Sequence, residues 1–380
     1  MSDSEYDTGT APFEPAPTSR RDAGRGGPLS APWSGVRRIA VLRGGGLGDL
    51  LFALPAVDAL AAAYPDAEID LLGTASHAEL LSGRPGPVHE VIALPPAGDD
   101  RSGDAEFFRR VGRTPIDLGV QVHGGGRWSN GFLRQLRPRW TVGSRTPDAP
   151  PLTRMLPFRH YQHETLRALE VVGLAGARPM RLEPALEVTD TDLALADAAL
   201  TRLPKPVVAL HPGATDPRRW WPIDRFARVA AHCLRQGLGV VAVGTNDERE
   251  LLAQLVSHVE ELAPQPYREG ALMILAGADM TTLCGVLARS CLLVGNDSGP
   301  RHLAAALGTP TVAVYWLGNV INAAPLGRAR DRVLMSWTTR CPVCGRDCTD
   351  ESVPRCAHDV SFVDGVSVEQ VLAEVDELLG

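Results

Sequence analysis

The sequence has a single lysine, Lys205, whereas the other 37 of its 38 basic residues are arginine. It also lacks a basic excess, because 45 acidic residues bring the net charge to -7. Proteins that bind nucleic acid through its phosphates usually show a surplus of positive charge, so we expect no nucleic-acid partner. We attribute the shortage of lysine to the coding bias of a GC-rich genome.

Long hydrophobic runs are missing as well. No stretch of about 18 uninterrupted apolar residues occurs, so we expect no transmembrane helix. The opening "MSDSEYDTGT" lacks the basic start and the apolar centre of a secretion signal, and we therefore expect a cytoplasmic protein. Residues 1–35 are rich in Pro, Gly, Ser and Arg, which predicts a disordered tail and leaves a peripheral membrane contact open.

Short apolar runs alternate with helical segments in two blocks of the sequence. "RIAVLR" and "AEIDLLG" in the first block, and "PVVALHPG", "GVVAVG" and "CLLVGN" in the second, predict buried strands. This alternation is typical of α/β proteins with doubly wound parallel sheets, which bind ligands at the carboxyl ends of their strands. We predict Rossmann-like domains at 36–180 and 206–360, a linker at 181–205 and a terminal helix at 361–380.

The glycine-rich loop "RGGGLGD", residues 43–49, follows the first predicted strand. Gly44 and Gly46 fit a dinucleotide-binding fingerprint, but Asp49 stands where the third glycine belongs, which excludes a nicotinamide site of that type. A carboxylate at the start of a helix either caps the helix or serves as a general base in the cleft. The residue pattern leaves both interpretations of Asp49 open.

Two loops of the second block offer groups that suit a nucleotide. "HPGATDPRRWWP" carries Thr215 and the cations Arg218 and Arg219, which suit a phosphate unless the loop is simply a solvated surface. In "VGTNDERE", Glu248 lies four residues past Gly244. It either stabilises the start of a helix or holds a ribose hydroxyl, and the pattern by itself favours the helix.

The fourth loop, "NDSGPRH" at residues 296–302, is a dense polar cluster between a buried strand and an Ala-rich helix. The start of a helix presents unpaired N–H groups and the positive end of a dipole, so it binds anions. We therefore assign a phosphate to the amides of Ser298 and Gly299, and Asp297 to helix capping or to sugar hydroxyls. His302 falls one turn into the helix.

In this order and spacing, the four loops resemble glycosyltransferase family 9, the ADP-heptose:lipopolysaccharide heptosyltransferases and their relatives, over residues 37–380. Where the family has a lysine this sequence has Arg219, which keeps the charge but replaces a point charge with a planar fork. The matching motifs are Arg43 with Leu47-Gly48-Asp49, Pro55, His211 to Ala214 with Thr215, Trp221-Pro222, Gly244 to Glu248, and Asp297 to His302 with Gly308-Thr309-Pro310.

The resemblance implies a GT-B architecture, with an N-terminal acceptor domain, a C-terminal nucleotide-sugar-binding domain and a terminal helix that often packs on the first domain. It implies inverting transfer of a sugar, heptose by resemblance, from a nucleotide-diphosphate sugar (ADP-heptose by default) to an unknown acceptor hydroxyl, with no cofactor required. Asp49 is then the base. The implied binding residues are Thr215, Arg219, Glu248, Asp297, Ser298, Gly299 and His302 for the donor, and Arg43, Gly46 and Gly48 on the acceptor side.

Two alternatives remain at this point: a nucleotide-sugar 2-epimerase on the same fold, and a non-catalytic subunit that binds a sugar nucleotide. The first predicts conversion of the sugar nucleotide without an acceptor. The second is disfavoured by Asp49 together with the Arg219 loop, because a pure binding protein needs no base.

A cysteine cluster near the C-terminus has its own chemistry. Cys341, Cys344, Cys348 and Cys356 fall within 16 residues, at spacings near those of structural zinc sites. Disulfides are disfavoured in a reducing cytoplasm, which leaves a structural zinc or iron site on these four thiols, or free thiols. His358 is a spare ligand.

Overall fold

The computed structural model describes residues 29–95, 102–350 and 352–380. Residues 1–28 of the predicted tail lie outside the described residues. The last residues of that tail pack against the first half of the chain. Trp33 stacks on Trp140 with ring centroids 5.3 Å apart, and the guanidinium of Arg154 lies 4.0 Å over the Trp33 ring. The packed chain therefore begins before residue 36.

The first half of the described chain forms one parallel sheet with helices between its strands. Its elements are β1 (Arg38–Leu42), α1 (Leu47–Ala63), β2 (Glu68–Gly73), α2 (Ala75–Leu81), β3 (Glu90–Ala93), α3 (Ser102–Val111), β4 (Leu118–Gln121), α4 (Ser129–Gln135), β5 (Trp140–Arg145), β6 (Arg154–Pro157) and α5 (Glu164–Gly173). Residues 39–42 of β1 are buried, as expected for a continuous apolar strand covered on both faces.

The second half repeats this plan. Its elements are α6 (Asp190–Ala199), β7 (Val207–His211), a 3₁₀ turn (Pro217–Arg219), α7 (Ile223–Arg235), β8 (Gly239–Gly244), α8 (Arg249–Leu262), α9 (Pro264–Arg268), β9 (Leu272–Ala276), α10 (Met280–Arg289), β10 (Leu292–Asn296), α11 (Gly299–Ala306), β11 (Thr311–Trp316), α12 (Leu317–Ala323), β12 (Asp331–Ser336) and α13 (Val368–Leu379). Lys205 is exposed just before the amino end of β7.

Both sheets have the same strand order. The first is β3-β2-β1-β4-β5-β6 and the second, read from its other edge, is β9-β8-β7-β10-β11-β12, with every paired strand parallel. The chain reverses its direction of travel across each sheet at the central pair, β1 with β4 and β7 with β10. Ligands bind at the carboxyl ends of strands at such a switch point. The predicted α/β GT-B architecture is confirmed.

The two halves touch beside these switch points. The rings of Phe52 in α1 and His302 in α11 lie 4.8 Å apart, and a side-chain carbon at Gly48 would meet His302 at 3.1 Å. Farther from the cleft, the guanidinium of Arg84 makes two bonds to the buried carboxylate of Asp192, at 2.7 and 3.0 Å. The cleft between the sheets is therefore closed at its base by direct contacts.

The C-terminal helix α13 packs on the second sheet, so the implied docking on the first domain is wrong. Val371 and Val375 are buried in the apolar core that covers β10 and β11. Its acidic face pairs with arginine of the same half, because Arg332 lies 2.9 Å from Glu374 and 2.8 Å from Glu377. No helix within the described ranges is long and apolar enough to cross a membrane.

Candidate active site

A cleft of about 860 Å³ opens between the two sheets, lined by the loops that follow β1, β7, β8 and β10. These are the four loops that the sequence singled out. Arg43 lies buried behind the wall of the cleft. The predicted site residues that line it are Gly46, Gly48, Asp49, Thr215, Arg219, Glu248, Asp297, Ser298, Gly299 and His302.

Asp49 lies in the first turn of α1 and is held from two sides. Its Oδ2 accepts the backbone N–H of Gly46 at 2.9 Å, and its Oδ1 lies 2.5 Å from Nη2 of Arg43. The buried Arg43 also donates to the carbonyl of Val122 at 2.5 Å and to Glu164 at 3.1 Å. The Asp49 side chain keeps 46% of its surface exposed, against 18% for Glu164. Helix capping and a reachable carboxylate, left as alternatives by the sequence, therefore coexist at Asp49.

The start of α11 forms the opposite wall. Ser298 is its N-cap residue, and the first-turn N–H groups of a helix have no partner within the helix. The Ser298 hydroxyl lies 2.9 Å from Nδ1 of His211 and donates to the carbonyl of Asn296 at 3.2 Å, so it turns away from these amides. A side-chain carbon at Gly299 would lie 3.5 Å from Cβ of Leu47. The positive ends of α1 and α11 thus converge on one cleft, which suits an anion.

Arg219 is oriented by the buried carboxylate of Asp297. Its Nη1 donates to the Asp297 carbonyl at 2.9 Å and lies 3.2 Å from Oδ2. Asn319 donates to the same Oδ2 at 2.6 Å, and Nε2 of His302 lies 3.1 Å from Oδ1. Burial raises the pKa of Asp297, but the hydrogen bond and charge of His302, the charge of Arg219 and the Asn319 bond outweigh it and lower the pKa to about 2. Of the two roles predicted for Asp297, helix capping is wrong, because Ser298 holds the cap position and both carboxylate oxygens are bonded to side chains. The other role, contact with sugar hydroxyls, stays a prediction.

The tautomer of His302 follows from its neighbours. Nη1 of Arg301 lies 3.2 Å from Nδ1 of His302, and because a guanidinium only donates, Nδ1 accepts. Nε2 then carries the proton and donates to Asp297. Burial lowers the pKa of His302, which agrees with a neutral ring. Arg301 is fixed in turn by Asp331 at 3.0 Å. His302 therefore braces Asp297 from within the wall of the cleft.

Glu248 sits under the loop that follows β7. Its Oε2 accepts from the backbone N–H and the hydroxyl of Thr245, at 2.7 and 3.1 Å, and lies 3.5 Å from Nε2 of His211. The hydrogen bond with His211, opposed by burial and assisted by the charge of His211 and the bonds from Thr245, lowers the pKa of Glu248 to about 2. Space for the carboxylate exists only because residue 213 is glycine, since a Cβ there would stand 1.7 Å from Oε1.

Three residues of the site were not among the predicted functional residues. His211 ends β7 and bridges Glu248 and Ser298, and its position at the carboxyl end of a buried strand was a usable signal. Glu164 begins α5 and reaches the cleft from 121 residues past Arg43, so no local pattern could reveal it. Asn319 belongs to α12, a short helix that the sequence pattern did not predict.

The predicted metal site differs by one ligand. The sulfur atoms of Cys341, Cys344 and Cys356 and one ring nitrogen of His358 all lie within 4.8 Å of one another. Cys348 does not belong to this group, because its thiol donates to the carbonyl of Arg346 at 3.4 Å. The spacing of the cysteines in the sequence suggested four thiol ligands. It could not show that the fold groups His358, and not Cys348, with the other three cysteines.

Comparison with known proteins agrees with this geometry. The family described as "Glycosyltransferase family 9 (heptosyltransferase)" matches residues 157–351, just over half of the chain. The lipooligosaccharide heptosyltransferase 2 of Haemophilus influenzae is 26% identical over 112 residues, which cover 29% of this chain and 31% of that protein. This chain spans about a third of the length of that relative and of the similar heptosyltransferases 2 of Salmonella typhimurium and E. coli.

Solved structures of the same kind cover nearly the whole chain. A family 9 glycosyltransferase from Veillonella parvula superposes with a TM-score of 0.74 and 20% identity, over 93% of this chain and 99% of that one. The E. coli ADP-heptose lipopolysaccharide heptosyltransferase II gives a TM-score of 0.70 and 19% identity, over 90% and 98%. Fold, loop order and family match agree, and the chain belongs to glycosyltransferase family 9, a family of enzymes that transfer glycosyl groups.

Proposed function

We propose that this protein transfers a sugar from a nucleoside-diphosphate sugar to an acceptor hydroxyl with inversion at the anomeric carbon. The donor class with the most support is an ADP-heptose, because the similar E. coli heptosyltransferase II is named for that donor. The observation that carries the proposal is the pairing of opposite chemistries across one cleft. An exposed carboxylate, Asp49, lies on one wall, and the cation Arg219 with the free amides of α11 lies on the other.

Asp49 is the proposed general base. The acceptor oxygen attacks the anomeric carbon, its proton passes to a carboxylate oxygen of Asp49, and the bond from that carbon to the diphosphate oxygen breaks. Asp49 suits this role better than Glu164, the other carboxylate in the cleft. Glu164 is shared by Arg43 and Arg167 and is mostly covered, whereas Asp49 has one guanidinium partner and an exposed face. Arg43 is then a positioning residue, since it fixes the direction of the carboxylate.

We propose that the C-terminal half of the chain binds the diphosphate as it leaves. Arg219, held in place by Asp297, and the amides of Ser298 and Gly299 supply positive charge where negative charge develops, and Thr215 adds a hydroxyl at the rim. Preorganised charge of this kind is usually the largest contribution to catalysis. It also makes a metal ion unnecessary for the transfer. Glu248, at the end of the loop that follows β8, is the proposed partner of the nucleoside.

Donor binding is tested first, by thermal unfolding of the purified full-length protein with ADP, GDP, UDP and their sugar conjugates. A ligand present at about 100 times its Kd stabilises the folded state by about 2.7 kcal/mol, which for a chain of 380 residues corresponds to a rise of roughly 3–4 °C. The expected result is a rise with ADP and ADP-sugars that exceeds the rise with the other two nucleotides. Equal shifts with all three nucleotides would refute the assignment of adenine as the nucleobase of the donor.

Turnover is then followed as nucleotide release with the best donor and an extract of bacterial cell-envelope glycolipids as acceptor. Asp49→Asn keeps the Gly46 hydrogen bond but loses the base, and we expect donor binding to persist while turnover falls by about 10²- to 10⁴-fold. Asp58→Asn is the matched control, because Asp58 lies on the same helix and bonds to Arg181 at 2.7 Å. Full turnover in Asp49→Asn, with loss in Glu164→Gln, would move the base to Glu164.

Two other outcomes separate the alternative functions. Conversion of the sugar nucleotide into its epimer without acceptor indicates an epimerase. Binding without turnover, whatever acceptor extract is supplied, indicates a binding subunit. We place the enzyme in the cytoplasm, where cell fractionation should find it with or without peripheral attachment to the membrane.

A further inference from the structure

The geometry points to a structural zinc ion bound by Cys341, Cys344, Cys356 and His358, which braces the loop that carries Arg219. The first part of this inference concerns the metal alone and stands apart from the proposed transfer. The second part, the brace, rests on the proposed function, since that proposal makes Arg219 the cation that binds the diphosphate.

The ligand atoms lie close to the dimensions of a tetrahedral zinc site. Zinc–sulfur distances of about 2.3 Å and zinc–nitrogen distances of about 2.0 Å give a tetrahedron with edges of roughly 3.5–3.8 Å. The distance from Sγ of Cys341 to Nδ1 of His358 is 3.7 Å, and all four ligand atoms lie within 4.8 Å of one another. Small side-chain rotations therefore complete the tetrahedron. Three thiolates and one imidazole form a closed set of the kind that structural zinc sites use.

The backbone around Cys341 and Cys344 forms a tight turn that brings both sulfur atoms to one side. Two residues separate Cys341 from Cys344. The Gly345 N–H donates to the Cys341 carbonyl at 2.9 Å, and Gly345 has a φ of 69°, which favours glycine. The Cys341 N–H returns to the Arg346 carbonyl at 2.9 Å, which closes a tight turn. Both sulfur atoms are thereby presented on one side of the turn, toward Cys356 and His358.

The segment from residue 337 to 361 is held mainly by local hydrogen bonds, such as that from Arg346 to the Pro354 carbonyl at 2.7 Å. Within its described residues, the only pairing of a β kind is a single bridge between Arg340 and Asp347. Its two buried cysteines, Cys341 and Cys356, share a small apolar cluster with Phe362 just past the segment, and Trp316 and Cys348 pack at its margin. So short a stretch cannot bury enough apolar surface to fix its own fold, and a metal supplies the missing cross-link.

This segment lies directly against the loop that carries Arg219. The Arg355 guanidinium lies 3.3 Å from the Asp216 carboxylate, and the Ser361 hydroxyl donates to the Trp220 carbonyl at 2.7 Å. Just past the segment, the N–H of Phe362 donates to the carbonyl of Arg218 at 2.7 Å. These contacts grip the 3₁₀ turn on both sides of Arg219. Zinc bound at the cysteine end of the segment therefore stiffens the position of the proposed phosphate-binding cation.

The metal is tested on full-length protein purified from cells grown with zinc, iron and cobalt in the medium. Elemental analysis is expected to give about one zinc per chain. Cys344→Ser, a change at an exposed ligand, is expected to lower this by at least tenfold, and His358→Ala should do the same. Cys348→Ser is the matched control and should keep its zinc, because that thiol lies outside the ligand group. Cobalt substitution should give the absorption of a tetrahedral thiolate site.

Three results would overturn the site: less than about 0.1 metal per chain with no uptake of added Zn²⁺, equal loss of metal in Cys348→Ser and Cys344→Ser, or iron in place of zinc. The brace is tested by the Kd for ADP in the zinc-loaded and the Cys344→Ser proteins, both confirmed as folded by circular dichroism. Coupling through packed contacts predicts a Kd about 2- to 30-fold weaker without the metal. An unchanged Kd would refute the brace and leave the zinc site standing. Failure of ADP to bind either protein would count against the proposed function instead.

Discussion

Gly213 is the position where the smallest change should disturb the donor side of the cleft the most. Substitution by alanine adds one methyl group, whose carbon would stand 1.7 Å from Oε1 and 2.5 Å from Cδ of Glu248. Real carbon and oxygen atoms do not approach so closely, so the carboxylate must leave its place. The backbone of Gly213 is not in the left-handed region, and the clash is therefore the whole of the perturbation.

The expected loss of stability follows from what Glu248 gives up. Its Oε2 accepts two hydrogen bonds from Thr245 and neighbours His211, and hydrogen bonds to a charged group contribute about 1.5–3 kcal/mol each. Some of this is recovered when the displaced carboxylate reaches water, so we expect a loss of about 2–4 kcal/mol in the free energy of unfolding. For a chain of 380 residues, that loss lowers the Tm by roughly 2–5 °C.

The assay compares thermal unfolding and ADP binding of Gly213→Ala with those of the wild type at pH 7 and pH 4. Because the pKa of Glu248 is lowered to about 2, its contribution to stability is complete above the ordinary value of 4.5 and is lost as the pH falls toward 2. The difference between the two proteins should therefore shrink at pH 4. Gly86→Ala is the control, since a Cβ at Gly86 meets nothing within 4 Å. A wild-type Tm and a wild-type Kd in Gly213→Ala would refute the described placement of Glu248.

Two further predictions concern buried charge and pH. Asp297→Asn removes a buried carboxylate that has three side-chain partners, and urea denaturation at pH 7 should show a loss of about 3–5 kcal/mol in the free energy of unfolding; a loss under 1 kcal/mol would contradict this network. Burial lowers the pKa of His77, His123, His163 and His302. Below pH 6.5 the unfolded chain therefore binds protons that the folded chain refuses, and stability should fall by up to about 1.4 kcal/mol per pH unit for each histidine. Urea midpoints at pH 7.5 and 5.5 measure this, with His302→Gln expected to show the smaller slope, and a flat profile would speak against neutral burial.

The sequence predicted the buried central strands well, whereas two of the four edge strands, β6 and β12, escaped it. β1, β7 and β10 are continuous apolar runs because both of their faces are covered, and such runs are easy to read. β5, β6 and β12 were missed. β6 and β12 lie at sheet edges, where strands are half-exposed and tolerate arginine or proline, so their composition resembles that of a loop.

The site shows the same limit in another form. Loops at the carboxyl ends of strands could be predicted, because strand order places them at one edge of the sheet. Partners that come from distant elements could not be predicted. Neither the pairing of Arg43 with Glu164 nor the grouping of His358, in place of Cys348, with the other cysteines can be recognised from local spacing. Such choices are made by packing, and only the folded chain reveals them.

The solitary lysine has a practical consequence for anyone who wishes to watch this protein work. Lys205 is exposed before β7, and six residues of extended chain place it roughly 20 Å from His211 at the cleft. Reagents that acylate side-chain amines therefore have one target, and they spare the guanidinium groups that serve the cleft. A fluorophore or a surface tether can be attached at this single position, beyond the amino ends of the strands of the second sheet. The cleft, at the carboxyl ends of the same strands, stays open to its substrates.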